Sequence, residues 1–321
     1  MSFLERLFGA NAPGGSGSDA AKTPGGQAGA AAPPVESRVR KSRLRATAPP
    51  APGADPDLTA DLWSAWTAVT ARASVELTPT AGPPGPLDSK IGGRPYLAPG
   101  QGWPRPPGGG PELFLLAQIN LGQLPPLEGF PERGLIQFFI GGNDTHGMDY
   151  RNPADGIGHL VVAVPDPPAD GSGASGGPDV ERAVAYMAVP FTNPDGVRLA
   201  GRPVNSPMPP DDFRFEAAFA EFLAAPANLT LAERLRRAGS LDLRQVFASG
   251  GHRLGGYPRF AHDDPRLRAD LAGFATLLLQ VDSDESAGID WGDGGACGFF
   301  IEPERLAALD LSRTLYWWDC L

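Results

Sequence analysis

The densest set of side chains with chemical potential lies between residues 282 and 293. There Asp282-Ser-Asp284-Glu285 is followed by Asp290-Trp291-Gly-Asp293. Asp282, Asp284, Ser286, Asp290 and Asp293 fall at relative positions 1, 3, 5, 9 and 12, the ligand spacing of a calcium loop. The glycine such a loop needs at its sixth position is Ala287, and its bidentate glutamate is Asp293. Two chemistries compete for this stretch. In one, Asp282, Asp284 and Asp293 hold a metal ion in an enzyme, with His252 as an acid/base partner of Asp293. In the other, closely packed carboxylates steer a basic partner. Trp291, flanked by charge and glycine, is then read as an exposed interface anchor.

Other candidates are fewer. Gln118 and Gln280 each interrupt an apolar strand, where a buried amide needs partners. They are read as amides that satisfy backbone, or as ligand contacts in a cleft between two lobes of a small-ligand sensor. Tyr257 follows Gly255-Gly256 and precedes Pro258. That glycine pair, and Gly92-Gly93 before Arg94-Pro95, predict turns at positive φ, not phosphate loops. His146, His159, His252 and His262 form no helical zinc motif. Cys297 and Cys320 form no Cys-x-x-Cys pair, so no cofactor is implied. Two cysteines fit thiols in a reducing cytosol, which places the chain in the cytoplasm.

The elements that carry these residues repeat. Lys90-Ile-Gly-Gly-Arg-Pro95 returns as Arg253-Leu-Gly-Gly-Tyr-Pro258. Leu115-Leu-Ala-Gln-Ile-Asn120 returns as Leu277-Leu-Leu-Gln-Val-Asp282, and Ile136-Gln-Phe-Phe-Ile140 as Cys297-Gly-Phe-Phe-Ile301. The matches are collinear, which is the signature of an internal duplication. The expected fold is α+β: two similar, mainly antiparallel β lobes with flanking helices. The first lobe covers about 87–190 and the second about 250–321, with a helical insert at about 211–239. Within them, strands are expected near 112–121, 134–140, 158–164, 181–190, 275–282, 297–302 and 314–320. A helix is expected from Asp57 to about Leu77, with Leu58, Leu62, Trp66 and Val69 on one face. Asp211 or Asp212 should cap a second helix carrying Phe215, Phe219 and Phe222. Thr230 and Glu233 should form the capping box of a third, which stops at Gly239.

Residues 1–56 form a Gly/Pro/Ala-rich tail whose composition predicts disorder. It contains a basic cluster, Arg38, Arg40, Lys41, Arg43 and Arg45, and begins with an apolar set, Phe3, Leu4, Leu7 and Phe8. Residues 1–48 carry seven basic and three acidic side chains, so the formal net charge of -10 leaves -14 on the remainder. A body that acidic repels phosphate backbones and is not expected to bind nucleic acid. No apolar run reaches the roughly 18–20 residues of a membrane span.

The motif order resembles the YwqG-like family of bacterial proteins, a domain of unknown function, over roughly residues 87–321. The second lobe carries Gly255-Gly-Tyr-Pro258, Leu277-Leu-Leu-Gln-Val-Asp-Ser283, Trp291-Gly-Asp-Gly294, Phe299-Phe-Ile301 and Trp318-Asp-Cys320. The first carries Gly92-Gly-Arg-Pro95, Trp103-Pro104, Phe114-Leu-Leu-Ala-Gln-Ile-Asn120 and Leu135-Ile-Gln-Phe-Phe-Ile140. The resemblance implies a soluble, cytoplasmic, mixed α and β body with a duplicated core, and it carries no activity. The expected function is a non-catalytic binding protein. Its partner would be a protein with a basic surface, met by Gln118, Tyr257, Gln280, Asp282, Trp291 and Asp293.

Overall fold

The computed structural model describes residues 56–168, 177–239 and 241–321. The expectations for residues 1–55, and for most of the loop at 165–179, lie outside the described residues. Helix α1 (Pro56–Thr70) is followed by strands β1 (Arg72–Thr80), β2 (Lys90–Ile91), β3 (Phe114–Asn120), β4 (Leu135–Ile140) and β5 (His159–Val164). Then come helix α2 (Val180–Ala185), strand β6 (Val197–Ser206) and helices α3 (Phe215–Ala224), α4 (Leu229–Ala238) and α5 (Leu243–Val246). The chain closes with β7 (His252–Gly255), β8 (Thr276–Asp282), β9 (Ala296–Ile301), helix α6 (Pro303–Ala307) and β10 (Leu315–Asp319).

All ten strands join one antiparallel sheet in the order β10-β9-β8-β7-β1-β6-β2-β3-β4-β5. Two meanders, β2 to β5 and β7 to β10, flank a central pair, β1 and β6. Each central strand pairs with the meander further along the chain or behind it: β1 with β7, β6 with β2. The sheet curls into a nearly closed barrel. The rings of Phe138 in β4 and Phe299 in β9 meet edge to face at 5.1 Å. His159 at the start of β5 donates from Nε2 to the Thr314 carbonyl beside β10, at 3.0 Å. The main core contains residues such as Val75, Leu116, Phe138, Leu278 and Phe299.

A second core joins the helices to the sheet. Trp66 of α1 packs edge to face on Phe215, Phe219 and Phe222 of α3, at 5.6, 5.1 and 5.0 Å. Its indole N–H donates to the Met208 carbonyl at 2.7 Å. Such aromatic pairs add about 0.5–1.5 kcal/mol each beyond area burial, so Trp66 anchors α1 to the body together with the buried Leu58 and Leu62.

Several expected elements differ. The first helix stops at Thr70, because residues 72–80 pair along their whole length with β6. Val75 and Leu77, two residues apart, enter the main core, which is strand periodicity. Residues 181–190 are not a strand. Asp179 accepts a hydrogen bond from the Arg182 backbone N–H and starts helix α2. Neither Asp211 nor Asp212 caps α3, which begins after Arg214 without a side-chain cap. The Thr230–Glu233 capping box does not form, and Glu233 pairs instead with Arg237 at 2.6 Å. Gly239, at φ 74, does end α4.

Candidate functional site

The two glutamines do the same work in the two meanders. Gln118 is fully buried in β3, opposite Lys90 of β2. Its Oε1 accepts from the Tyr96 N–H at 2.8 Å, and its Nε2 donates to the carbonyls of Pro86 and Asp88 at 2.8 and 3.0 Å. Gln280 is buried in β8, opposite Arg253 of β7. Its Oε1 accepts from the Arg259 N–H at 2.7 Å, and its Nε2 donates to the carbonyls of Ser249 and Gly251 at 3.1 and 2.8 Å. Each amide therefore closes the loop on both sides of a short strand and the Gly-Gly turn after it. Gly92, Gly93, Gly255 and Gly256 all sit at φ between 65 and 73. A Cβ on Gly93 would lie 2.5 Å from the Asp195 carbonyl oxygen.

Beside each amide lies a buried cation. Lys90 donates to the Gly85 and Pro86 carbonyls, and burial pushes its amine down to about 8 against the opposing pull of Asp88. Arg253 donates to the Gly250 carbonyl, and burial lowers it too, opposed by Glu76 and Asp282.

The acidic turn splits into an inner and an outer set. Asp282 turns inward: its carboxylate accepts from the Gly251 N–H at 2.7 Å and pairs with Arg259 at 3.0 Å. Its own backbone N–H donates to Nδ1 of His252 at 3.1 Å, which leaves the imidazole hydrogen on Nε2. That nitrogen faces Asp284 Oδ2 at 3.6 Å. Asp284 caps a single 3-10 turn, accepting from the Ser286 and Ala287 N–H groups. The His252 contact first, then Ser286 and Ala287, holds its carboxyl well below the ordinary range. Asp293 is not the partner of His252; it is exposed. Glu285 and Asp290 are exposed as well. Among the described residues no group of three or more His, Cys, Asp or Glu side chains is arranged to hold a metal ion.

Trp291 corrects the sequence reading most sharply. It is 0 % exposed and belongs to the main core. Its backbone N–H donates to Ser283 Oγ at 3.0 Å. Its ring meets His146 at 5.5 Å and Trp318 at 5.8 Å. Gly292 and Gly294, at φ 83 and 64, turn the backbone so that the carboxylates point out while the indole points in. Tyr257 is buried too, donating to the Thr70 carbonyl at 2.6 Å beneath the Arg72 guanidinium. The acid/base-capable Cys297 is fully enclosed, and burial pushes its thiol well up, so it is no nucleophile.

Gln280, Asp282, Asp284, His252 and Arg259 thus form one network, with Trp291 beneath the turn and Asp293 outside it. Gln118 belongs to the other meander. The sequence reading assigned no role to His146, which holds φ 49 between the two indoles. It also missed Asp144, exposed beside it. Both Asp144 and Asp290 act on the His146 imidazole. Asp144, Glu285, Asp290 and Asp293 have no ion-pair partner among the described residues. No spacing rule links Asp144 to the turn; only the folded loop after β4 does.

Residues 89–320 match the family described as a domain of unknown function, DUF1963. The match covers well over half of the chain, so the chain belongs to that family. No curated protein matches it. No helix among the described residues is long and apolar enough to cross a membrane.

Proposed function

We propose that this chain is a non-catalytic binding protein of the cytoplasm, and that the outer set of the acidic turn is its recognition face. One observation carries the reading. Asp282 and Asp284 are engaged by backbone N–H groups, Arg259 and His252, whereas Asp144, Glu285, Asp290 and Asp293 stand without a cation partner among the described residues. Carboxylates left in this way favour a partner that brings lysine or arginine, and they steer its approach. The partner is a protein with a basic surface. Trp291 takes no part in contact; it supports the turn from below.

The body is read as an internal duplication, in keeping with a YwqG-like chain. The matched amide networks of Gln118 and Gln280 support this, as does the paired placement of Lys90 and Arg253. On that reading β1 and β6 are exchanged between the two units, since each completes the meander that follows the other. The metal-enzyme alternative, with Asp282, Asp284, Asp293 and His252, is less well supported, because Asp293 is exposed whereas His252 is buried. A sensor pocket at the glutamines is less well supported too, because both amides are bonded to backbone.

The test is affinity capture from the native host with the wild-type chain and with a variant carrying Asp144→Asn, Glu285→Gln, Asp290→Asn and Asp293→Asn. A partner with a basic surface should be recovered by the first and lost from the second. Identical recovery by both would reject the face. Calorimetric titration with calcium, magnesium, manganese and zinc decides the metal alternative: stoichiometric binding abolished by Asp282→Asn would restore it.

A further inference from the structure

Tyr257 is one rung of a ladder in which guanidinium groups alternate with aromatic rings. Arg72, the first residue of β1, lies 4.8 Å over the Tyr257 ring. Arg214, just before α3, lies 5.8 Å from the same ring and 5.0 Å over Phe213. Arg266, in the 3-10 turn Pro265–Leu267, lies 5.0 Å from Phe213 and 4.7 Å over Phe300 of β9. The rings attract each cation through their negative faces but cancel none of its charge. That task falls to carboxylates.

The carboxylates of the ladder leave one cation over. Asp264 accepts from Arg266 Nε and Nη2 at 2.9 and 2.7 Å and from the Phe213 N–H at 3.0 Å. Asp212 accepts from Arg214 Nε and Nη2 at 2.7 and 2.6 Å, and from Arg266 Nη2 at 3.3 Å. Both aspartates are buried and committed to these two arginines. Arg72 has no carboxylate in ion-pair range among the described residues. Its strand neighbour Glu76 pairs with Arg202 at 2.6 Å, and Asp211 pairs with Arg244 at 3.1 Å. Burial, and after it the Arg214 guanidinium, lower Arg72 from its ordinary value, against the pull of Tyr257 and Asp212. The ladder also opens toward this end. Arg266 is 1 % exposed and the Arg214 side chain 26 %, while Arg72 is half-buried. An otherwise acidic body thus carries, at the open end of the ladder, a partly desolvated guanidinium whose charge is not neutralised.

We propose that Arg72, held on the Tyr257 ring, is a receptor for a carboxylate, a second site opposite in sign to the acidic turn. The charge count sets the class of ligand. Arg72, Arg214 and Arg266 against Asp212 and Asp264 leave one positive charge, which a monoanion balances. A carboxylate also accepts two parallel N–H bonds from one edge of a guanidinium. A phosphate dianion would exceed the balance and meet the charge of Asp212. The Tyr257 ring and the rungs behind it hold the guanidinium in place, so less freedom is lost when the ligand binds.

The full chain is produced with isotope-labelled arginine, and the side-chain Nε–H resonance of Arg72 is assigned through its loss in Arg72→Lys. Acetate, benzoate, a blocked glutamate peptide and inorganic phosphate are titrated separately, at constant ionic strength set with chloride. The expected result is a saturable shift of the Arg72 resonance with a carboxylate. Calorimetric titration of Arg72→Lys with the same ligand should show affinity lower by about tenfold or more, because lysine keeps the charge but not the paired donors. Saturation by the free acids identifies a small organic acid, and saturation by the peptide alone identifies an acidic segment of a partner; both support the site. Phosphate saturating the resonance at lower concentration than every carboxylate overturns the assignment of the ligand. An Arg72 resonance that responds no more to carboxylates than to chloride overturns the site, as does equal affinity in wild type and Arg72→Lys.

Discussion

Replacing Gln280 with leucine, which is one heavy atom shorter and has no polar end, should cost about 3 kcal/mol of stability. Three hydrogen bonds are lost, to the Arg259 N–H and to the carbonyls of Ser249 and Gly251. The Ser249 carbonyl, left buried without a partner, costs about 1–3 kcal/mol, and the bonds to the less buried Arg259 N–H and Gly251 carbonyl are worth about 1 kcal/mol net each. Gln280 is 1 % exposed, so water does not simply replace the amide. Leucine regains part of the loss by burying apolar atoms, which keeps the total near the lower end of the sum. Urea unfolding followed by tryptophan fluorescence and by far-ultraviolet circular dichroism measures the change, with coincident transitions as the check on two-state behaviour. Gln118→Leu should cost a similar amount, because its three backbone bonds have the same pattern. A loss below about 1 kcal/mol at either site, with an unchanged denaturant slope, would refute the backbone-clasp role. It would return the glutamines to the status of candidate ligand contacts.

Trp291→Ala should destabilise the body by about 3–5 kcal/mol, and Trp291→Phe by less, since the indole is wholly buried against His146 and Trp318; chemical denaturation checks both. Gly93→Ala should cost clearly more than Gly100→Ala, by thermal unfolding. Both glycines have positive φ, worth roughly 1–2 kcal/mol, but only at Gly93 would the new Cβ strike a backbone oxygen. Burial lowers His159 to about 4, against about 6.5 unfolded. The unfolded chain then binds the extra proton between these values, so stability falls as pH drops from about 6.5 to about 4, by about 3 kcal/mol. His159→Phe should flatten that part of a stability–pH profile.

Much of the strand framework is legible from residues alone. Strands β3, β4, β5, β8, β9 and β10 fall within a residue or two of their expected spans, because each is a short apolar run bounded by glycine, proline or acidic turns. Strand β6 escapes such reading. Of its ten residues only Leu199 is buried, and Gly201 and Pro203 interrupt it; its pairing with β1 defines it. The β1 segment is ambiguous for the converse reason, since Val69 and Ala73 extend the helical spacing of α1 up to the point where sheet pairing takes over. The site follows the same division. The equivalence of Gln118 and Gln280 is visible as spacing, whereas the inward turn of Trp291 depends on His146 and Trp318, brought from distant parts of the chain. Flanking charge marks the turn as exposed but says nothing of which side chain in it is buried.

Hydrogen–deuterium exchange of the full chain, alone and in complex with the partner recovered by the wild-type chain and not by the neutralised-face variant, tests the recognition face most directly. The expected result is slowed exchange in the turn around residues 284–294 and in the neighbouring segment 186–192, with β4 and β9 unchanged. Slowed exchange confined to other parts of the body, with the acidic turn exchanging as in the free protein, would contradict it.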